Sequence, residues 1–263
     1  MKAIILAAGQ GTRLKKYTQD RPKGMLDFMG KTVIERQIKT YRSAGISDII
    51  IVKGFAGEKI DYAGVKYCDN SDYATTNMVE SLLKAKDEFD DDIIVSYADI
   101  VFDQKLLQAL IQNENDYVVA VDDNWQEYWL HRYGQVDFDT ESLEIDEEGS
   151  IVSIGTESPN LEEIDSRYIG LLKFSAKGME KILEIIERDR EEYLDKPWKQ
   201  SGKTLSNAYM TDLLQALSDS GEKIKAHRFI NGWIEFDTNE DYEKACEWAE
   251  DGTIKKFLHE ALD

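Results

Sequence analysis

Gly9-Gln10-Gly11-Thr12-Arg13-Leu14, with Pro22-Lys23 a short distance on, brings together two glycines and two fixed cations. Glycine lets a backbone turn sharply and bring its N–H groups close to a ligand. Arg13 and Lys23 add positive charge, and together these groups describe a cradle for a polyphosphate. Each cation taken alone also fits an exposed surface residue. Polyphosphate transfer commonly uses Mg²⁺ held by one or two carboxylates. Asp99 lies just beyond the apolar run Ile93–Tyr97, at the strand end where open α/β sheets place ligands. Asp103 is its nearby competitor, and a helix cap or turn is the plainer role for Asp99.

Two common phosphate loops are excluded. A Walker A loop needs GxxxxGK[ST], which Gly9–Thr18 does not supply. A dinucleotide loop needs a third glycine where Leu14 stands.

The elements that must position these residues are legible as period and composition. Ala3–Ala8, Asp48–Val52 and Asp92–Tyr97 are apolar runs of the kind buried on both faces of a sheet, and Val65–Cys68 is a weaker strand. Lys31–Ala44, the face from Met78 to Ala85, and Gln104–Gln112 read as helices. Alternation of this kind implies βαβ units and a mostly parallel sheet. From about residue 116 the pattern changes. Tyr117–Val121 and Tyr168–Phe174 read as strands, and Tyr133–Ile145 with Ser150–Ile154 as short antiparallel strands around an acidic turn. Helices are expected over Lys177–Arg190 and Asn207–Leu217, with Glu191–Lys203 between them as a loop or lid. Ile224–Phe229 and Trp233–Phe236 are expected to close the sheet, and two helices to follow. The expected organisation is one domain over 1–263, with a nucleotide half (1–115) and an acceptor half (116–263).

Charge is distributed unevenly. The 263 residues carry a net charge of −20, yet residues 1–36 hold eight basic and three acidic side chains. A basic island in an acidic chain suits a small polyanion, or a solvated loop; the acidic remainder repels nucleic acid and anionic membrane. No run reaches the roughly 18 apolar residues of a membrane span. Cys68 and Cys246 stand far apart without a metal-site pattern, so a cytoplasmic setting is expected.

MKAIILAAGQGTRL followed by RPKGML resembles the sugar-nucleotide and phosphocholine nucleotidyltransferase superfamily. Thr75–Ser81, Asp123–Arg132, Arg167–Leu171 and Asn207–Asp212 extend the likeness to its phosphocholine cytidylyltransferase-like branch. The resemblance implies a Rossmann-like α/β fold of the GT-A type: a mostly parallel mixed sheet flanked by helices, with a small antiparallel acceptor region. It implies transfer of a nucleotidyl group from a triphosphate, here CTP, to a small phosphorylated acceptor, with release of pyrophosphate. Loop amides and Arg13 would hold the leaving phosphates, and Lys23 the α-phosphate. Leu6, Ala8, Gly9, Gly11, Thr12, Asn77, Ser81 and Ala98 would complete the nucleotide site, although Asn77 also fits a helix cap. Asp99 and Asp237 would hold Mg²⁺, although Asp237 also fits a cap before the helix from Thr238.

On the acceptor side the resemblance implicates Trp125, Tyr128, Trp129, Arg132, Tyr168 and Asp212. Tryptophan faces beside carboxylates could hold an amine or trimethylammonium through cation–π contact. The same rings also fit core or lid packing. Relatives of this branch act on phosphocholine, phosphoglutamine or 2-aminoethylphosphonate. Sugar-1-phosphate relatives often carry a lysine where this chain has Gly155–Pro159, which disfavours that alternative. Arg132, Arg167 and Lys173 remain open as the grip on the acceptor phosphate. A glycosyltransferase would want a DxD motif at a strand end, which Asp99–Asp103 is not. A non-catalytic regulatory relative would be expected to lack Arg13 or Lys23.

Overall fold

The computed structural model describes residues 1–260. Lys2–Ala7 forms the strand expected of its apolar run, and all six residues are buried. Successive side chains of a strand point to opposite faces. Ala3, Ile5 and Ala7 therefore join one apolar cluster, while Ile4 and Leu6 join another across the sheet.

The central sheet has seven strands, in the order Ile224–Phe229, Tyr117–Asp122, Arg167–Phe174, Ile93–Tyr97, Lys2–Ala7, Ile49–Lys53 and Lys66–Asp69. Lys2–Ala7 pairs in parallel with Ile49–Lys53 and Ile93–Tyr97, and Ile49–Lys53 with Lys66–Asp69. Arg167–Phe174 runs antiparallel to both its neighbours. The sheet is thus mixed and mostly parallel, and small antiparallel pairs lie outside it. Its parallel core brings the carboxyl ends of Lys2–Ala7 and Ile93–Tyr97, and so the glycine loop and Asp99, to one edge.

The flanking helices follow their signals. Val33–Ser43 starts where the Thr32 hydroxyl accepts from the Glu35 N–H at 3.1 Å. Ala176–Arg190 starts at Ser175, which accepts from the Gly178 N–H at 2.9 Å.

Three expectations need correction. Trp233–Glu235 does not close the central sheet but pairs antiparallel with Ile100–Phe102 in a separate ribbon. The Trp233 N–H is taken instead by the Phe257 carbonyl, at 2.8 Å. Tyr133 is not the start of a strand; it ends a helix, Trp125–Tyr133, that stops at Gly134 with φ +74°. The strand begins only at Glu141. Beyond Trp233–Glu235, the described residues hold one helix, Asn239–Asp251, followed by a single 3₁₀ turn, Thr253–Lys256, rather than two helices. Among the described residues no helix is long and apolar enough to cross a membrane.

Candidate active site

The glycine loop leaves the sheet at Ala8 and is fixed from beneath. Leu14 is fully buried. The Thr18 hydroxyl donates to the carbonyls of Gly11 and Leu14 at 3.0 and 2.9 Å. Gly11 has φ +64°, and a Cβ there would come within 3.1 Å of the Lys23 Cβ. Gly24 is needed for a different reason: a Cβ would lie 2.7 Å from Ile34 and 2.9 Å from the Ala98 carbonyl. That close approach sets Lys23 against the loop carrying Asp99.

Lys23 Nζ donates to Asp99 Oδ2 and to Asp237 Oδ1, each at 2.6 Å. Arg13 reaches Asp237 Oδ2 at 2.5 Å and Asp139 Oδ2 at 3.1 Å. Burial works against the Lys23 ammonium, but Asp99 and Asp237 hold its pKa above the ordinary lysine value. Burial raises the pKa of Asp237, with Lys23 opposing.

The two aspartates have a third partner that the sequence reading passed over. Carboxylate oxygens of Asp99, Glu235 and Asp237 lie within 4.8 Å of one another. Asp99 Oδ1 is buried and has no hydrogen-bond partner. An all-carboxylate set with an orphaned oxygen fits a hard divalent cation such as Mg²⁺. Alternation along Trp233–Asp237 puts 235 and 237 on one face, which is the signal that could have singled out Glu235. Asp237 is not the helix cap; Thr238 caps it, with Asp241 in the reciprocal position.

Buried polar groups hold this cluster in place. Gln37 donates to the carbonyls of Tyr97 and Ile100, both at 2.7 Å, and accepts from Ser96 Oγ at 2.9 Å. It thereby fixes the turn that presents Asp99. Arg132 Nη1 donates to Glu235 at 2.8 Å, and Nη2 to Asp241 at 2.8 Å. Asp241 in turn accepts from the Asp237 and Thr238 N–H groups at 3.2 and 2.9 Å. Burial opposes the Glu235 charge, but Arg132, then Lys23 and Arg167, bring its pKa down to about 2.

Two cavities meet at the cluster. One, of about 270 Å³, is lined by Leu6, Ala8, Gly9, Gly11, Thr12, Arg13, Lys23, Asn77, Ser81 and Ala98. All ten residues expected at a nucleotide therefore share one wall, and Asp99 and Asp237 are part of it. Asn77 also caps the helix Met78–Leu83, accepting from the Met78 N–H at 3.0 Å. Ser81 Oγ is held by Asn70 at 3.0 Å.

The second cavity, of about 540 Å³, shares Arg13, Lys23, Asp99 and Asp237 with the first. Beyond them it is lined by acids (Asp139, Glu141, Glu157, Glu235), by Tyr168 and Tyr209, and by Arg167. Tyr168 donates to the Tyr97 hydroxyl at 3.0 Å. Gly170, at φ +78°, makes room for the Tyr97 ring, which a Cβ would meet at 2.6 Å. Burial raises the pKa of Glu141, with Arg167 opposing.

Most of the expected acceptor residues lie elsewhere. Trp125, Tyr128 and Trp129 are buried in the core and line neither cavity. With Arg132 they occupy positions i, i+3, i+4 and i+7 of a helix, the spacing of an inward face. Trp129 and Trp125 ring centroids are 5.9 Å apart, and Tyr128 and Trp233 centroids 5.3 Å. Arg132 is a buried tie between acids and reaches neither cavity. Asp212 is also buried, accepting from Tyr209 N–H and Ser201 Oγ at 2.8 Å each, and so caps the helix Met210–Asp219. Lys173 is bound to the Asn113 carbonyl, away from both cavities. Of the three cations left open for the acceptor phosphate, only Arg167 lines the second cavity.

Comparison with known proteins agrees with this construction. The chain is 35% identical over 258 residues to a CTP:phosphoglutamine cytidylyltransferase of Campylobacter jejuni, spanning 94% of this chain and 100% of the relative. It is 31% identical over 173 residues to a choline-phosphate cytidylyltransferase of Streptococcus pneumoniae, spanning 63% and 74%. The solved structure of CTP:phosphocholine cytidylyltransferase from Streptococcus pneumoniae superposes with TM-score 0.68 at 25% identity, over 94% of this chain and 97% of that one. A UDP-glucose pyrophosphorylase, at 20% identity and TM-score 0.70 over 95% and 98% of the chains, shares the fold. Residues 3–190 match the MobA-like NTP transferase domain, a span that includes the loop, Lys23, Asp99 and Arg167. With well over half its length matched to that domain, the chain belongs to the MobA-like NTP transferase family and is a nucleotidyltransferase.

Proposed function

We propose that the chain is a Mg²⁺-dependent cytidylyltransferase that joins CTP to a small phosphorylated amine or amino acid. The observation that carries this is the shared wall: Lys23, Arg13, Asp99 and Asp237 border both cavities. A donor in one cavity and an acceptor in the other would meet at those four side chains. The full-length likeness to a phosphoglutamine enzyme and the partial likeness to phosphocholine enzymes support cytidine and a small phosphorylated acceptor.

The acceptor phosphate oxygen, already anionic near neutral pH, attacks the α-phosphorus of CTP. A new P–O–P bond forms as the α–β bridge breaks, and pyrophosphate leaves. No general base is required. Arg13 grips the departing phosphates with a charged fork. Lys23 stabilises the charge that grows on the α-phosphate oxygens. Loop N–H groups from Gly9 to Arg13 hold the β- and γ-phosphates. Mg²⁺ held by Asp99, Glu235 and Asp237 would neutralise triphosphate charge. The acid-rich second cavity, without a lysine between Gly155 and Pro159, counts against a sugar-1-phosphate acceptor.

Pyrophosphate release tests the reading. CTP, UTP, dTTP, ATP and GTP are each paired with phosphocholine, 2-aminoethylphosphonate, phosphoglutamine and glucose-1-phosphate, with Mg²⁺ present. CTP with an amine-bearing acceptor is expected to lead. A lead for UTP or dTTP with glucose-1-phosphate refutes it.

A further inference from the structure

Arg167 lines the second cavity but not the first, which sets it apart from Arg13 and Lys23. Its guanidinium lies 4.6 Å above the ring of buried Trp129. Among the described residues its side chain makes no hydrogen bond, and its Nε is buried without a partner; its charge acts on Glu141 and Glu235 from a distance. A buried guanidinium N–H left without an acceptor costs stability, and a ligand that accepts from it recovers that cost.

Which anion completes it follows from position. The reacting phosphate must lie at the shared wall, beside Lys23, because its oxygen attacks the phosphorus held there. Arg167 lines only the acceptor's cavity, where it can meet a second anion carried by the acceptor. The guanidinium fork matches a carboxylate through two parallel hydrogen bonds. Glu141 and Glu157 line the same cavity and supply acceptors for an ammonium group. A trimethylammonium has no N–H to donate and is recognised by aromatic cages. Trp125, Tyr128 and Trp129 are in the core, and of the three tyrosines that line the cavity, Tyr97 and Tyr168 have their hydroxyls bonded to each other at 3.0 Å.

We propose that the acceptor is a phosphorylated amino acid, with its carboxylate gripped by Arg167 and its ammonium facing Glu141 and Glu157. This rests on the cytidylyl-transfer reading above and narrows its acceptor.

Matched acceptors that differ only by the carboxylate test it. O-phosphoserine is compared with phosphoethanolamine, and phosphoglutamine with its decarboxylated counterpart, each with CTP, with phosphocholine alongside. For at least one pair, wild-type kcat/KM is expected to favour the carboxylate by about 30-fold or more. Arg167→Gln should remove most of that preference, mainly through KM, and Arg167→Lys should retain part of it. Calorimetric binding of each acceptor reads the same ratio without turnover. If Arg167→Gln fails to fold, the wild-type ratio and Arg167→Lys decide. Equal kcat/KM within both pairs, a preference that survives Arg167→Gln, or phosphocholine matching the amino acids overturns the proposal while leaving cytidylyl transfer standing. Absence of turnover with CTP and every acceptor overturns both.

Discussion

Phe236 donates its backbone N–H to the carbonyl oxygen of Asp99 at 2.9 Å. That bond ties the turn after Ile93–Tyr97 to the segment ending in Asp237. Two carboxylates far apart in sequence are thereby held at one point, and Lys23 joins them from a third segment. The site is a meeting of loops, each anchored by its own strand or helix.

Lys23 serves both as counter-ion to the aspartates and as the proposed ligand of the α-phosphate. Lys23→Met is expected to lower kcat about 100- to 1,000-fold, the usual effect of losing one transition-state donor. It also leaves Asp99 without its cation and Asp237 with Arg13 alone. Thermal unfolding should therefore show a lower Tm for the variant without Mg²⁺, and a larger rise on adding Mg²⁺ than in wild type. Full turnover by Lys23→Met would remove the residue from its role.

Glu235 is the carboxylate that completes the cluster. Glu235→Gln is expected to raise the Mg²⁺ concentration for half-maximal turnover about tenfold or more, as for changes around a metal's ligands. A Mg²⁺ titration curve identical to wild type would show that Asp99 and Asp237 suffice.

Arg132 separates a structural from a binding role. Arg132→Met leaves Glu235 and Asp241 as buried charges without their partner, a change that costs about 3–5 kcal/mol. Denaturant unfolding should show the loss in midpoint. If Arg132 bound the acceptor instead, the variant would keep its stability and lose acceptor affinity.

Asp189 gives a pH signature. The Trp198 indole donates to Asp189 Oδ2 at 2.9 Å, anchoring the segment after the helix Ala176–Arg190. That segment runs on to Ser206, whose carbonyl accepts from the Asn77 N–H at 3.1 Å, so it props the nucleotide cavity. Burial works against the Asp189 charge, but Arg188 and Trp198 bring its pKa below the ordinary value. A depressed folded pKa contributes stability above the unfolded value, about 3.9, and the contribution is lost as pH falls through the folded pKa. Asp189→Asn should cost about 1–2 kcal/mol near neutral pH. The gap from wild type should begin to narrow below about pH 4 and close only once pH has fallen below the folded pKa. Unfolding midpoints that differ equally at pH 3 and pH 7 would contradict this.

The donor side was legible because it is local. One loop, one lysine and the ends of adjacent parallel strands carry it, and strand alternation is written in runs such as Ala3–Ala8. The acceptor side was not. As sequence, Trp125, Tyr128 and Trp129 fit a binding surface or core packing, and their helical spacing marks an inward face. Arg132 depends on Asp241, a partner from another element that no local pattern announces. Arg167 cannot be told from Arg132 and Lys173 by local sequence, because what separates them is the tertiary partners that engage the other two.

The bond that breaks in the donor tests the central claim most directly. CTP labelled in turn at the α- and γ-phosphate is incubated with enzyme, Mg²⁺ and the best acceptor, and the products are separated. Cytidylyl transfer at the Lys23 wall predicts the α label in the acceptor-linked product and the γ label in pyrophosphate. Appearance of the γ label on the acceptor, with CDP released, would contradict it.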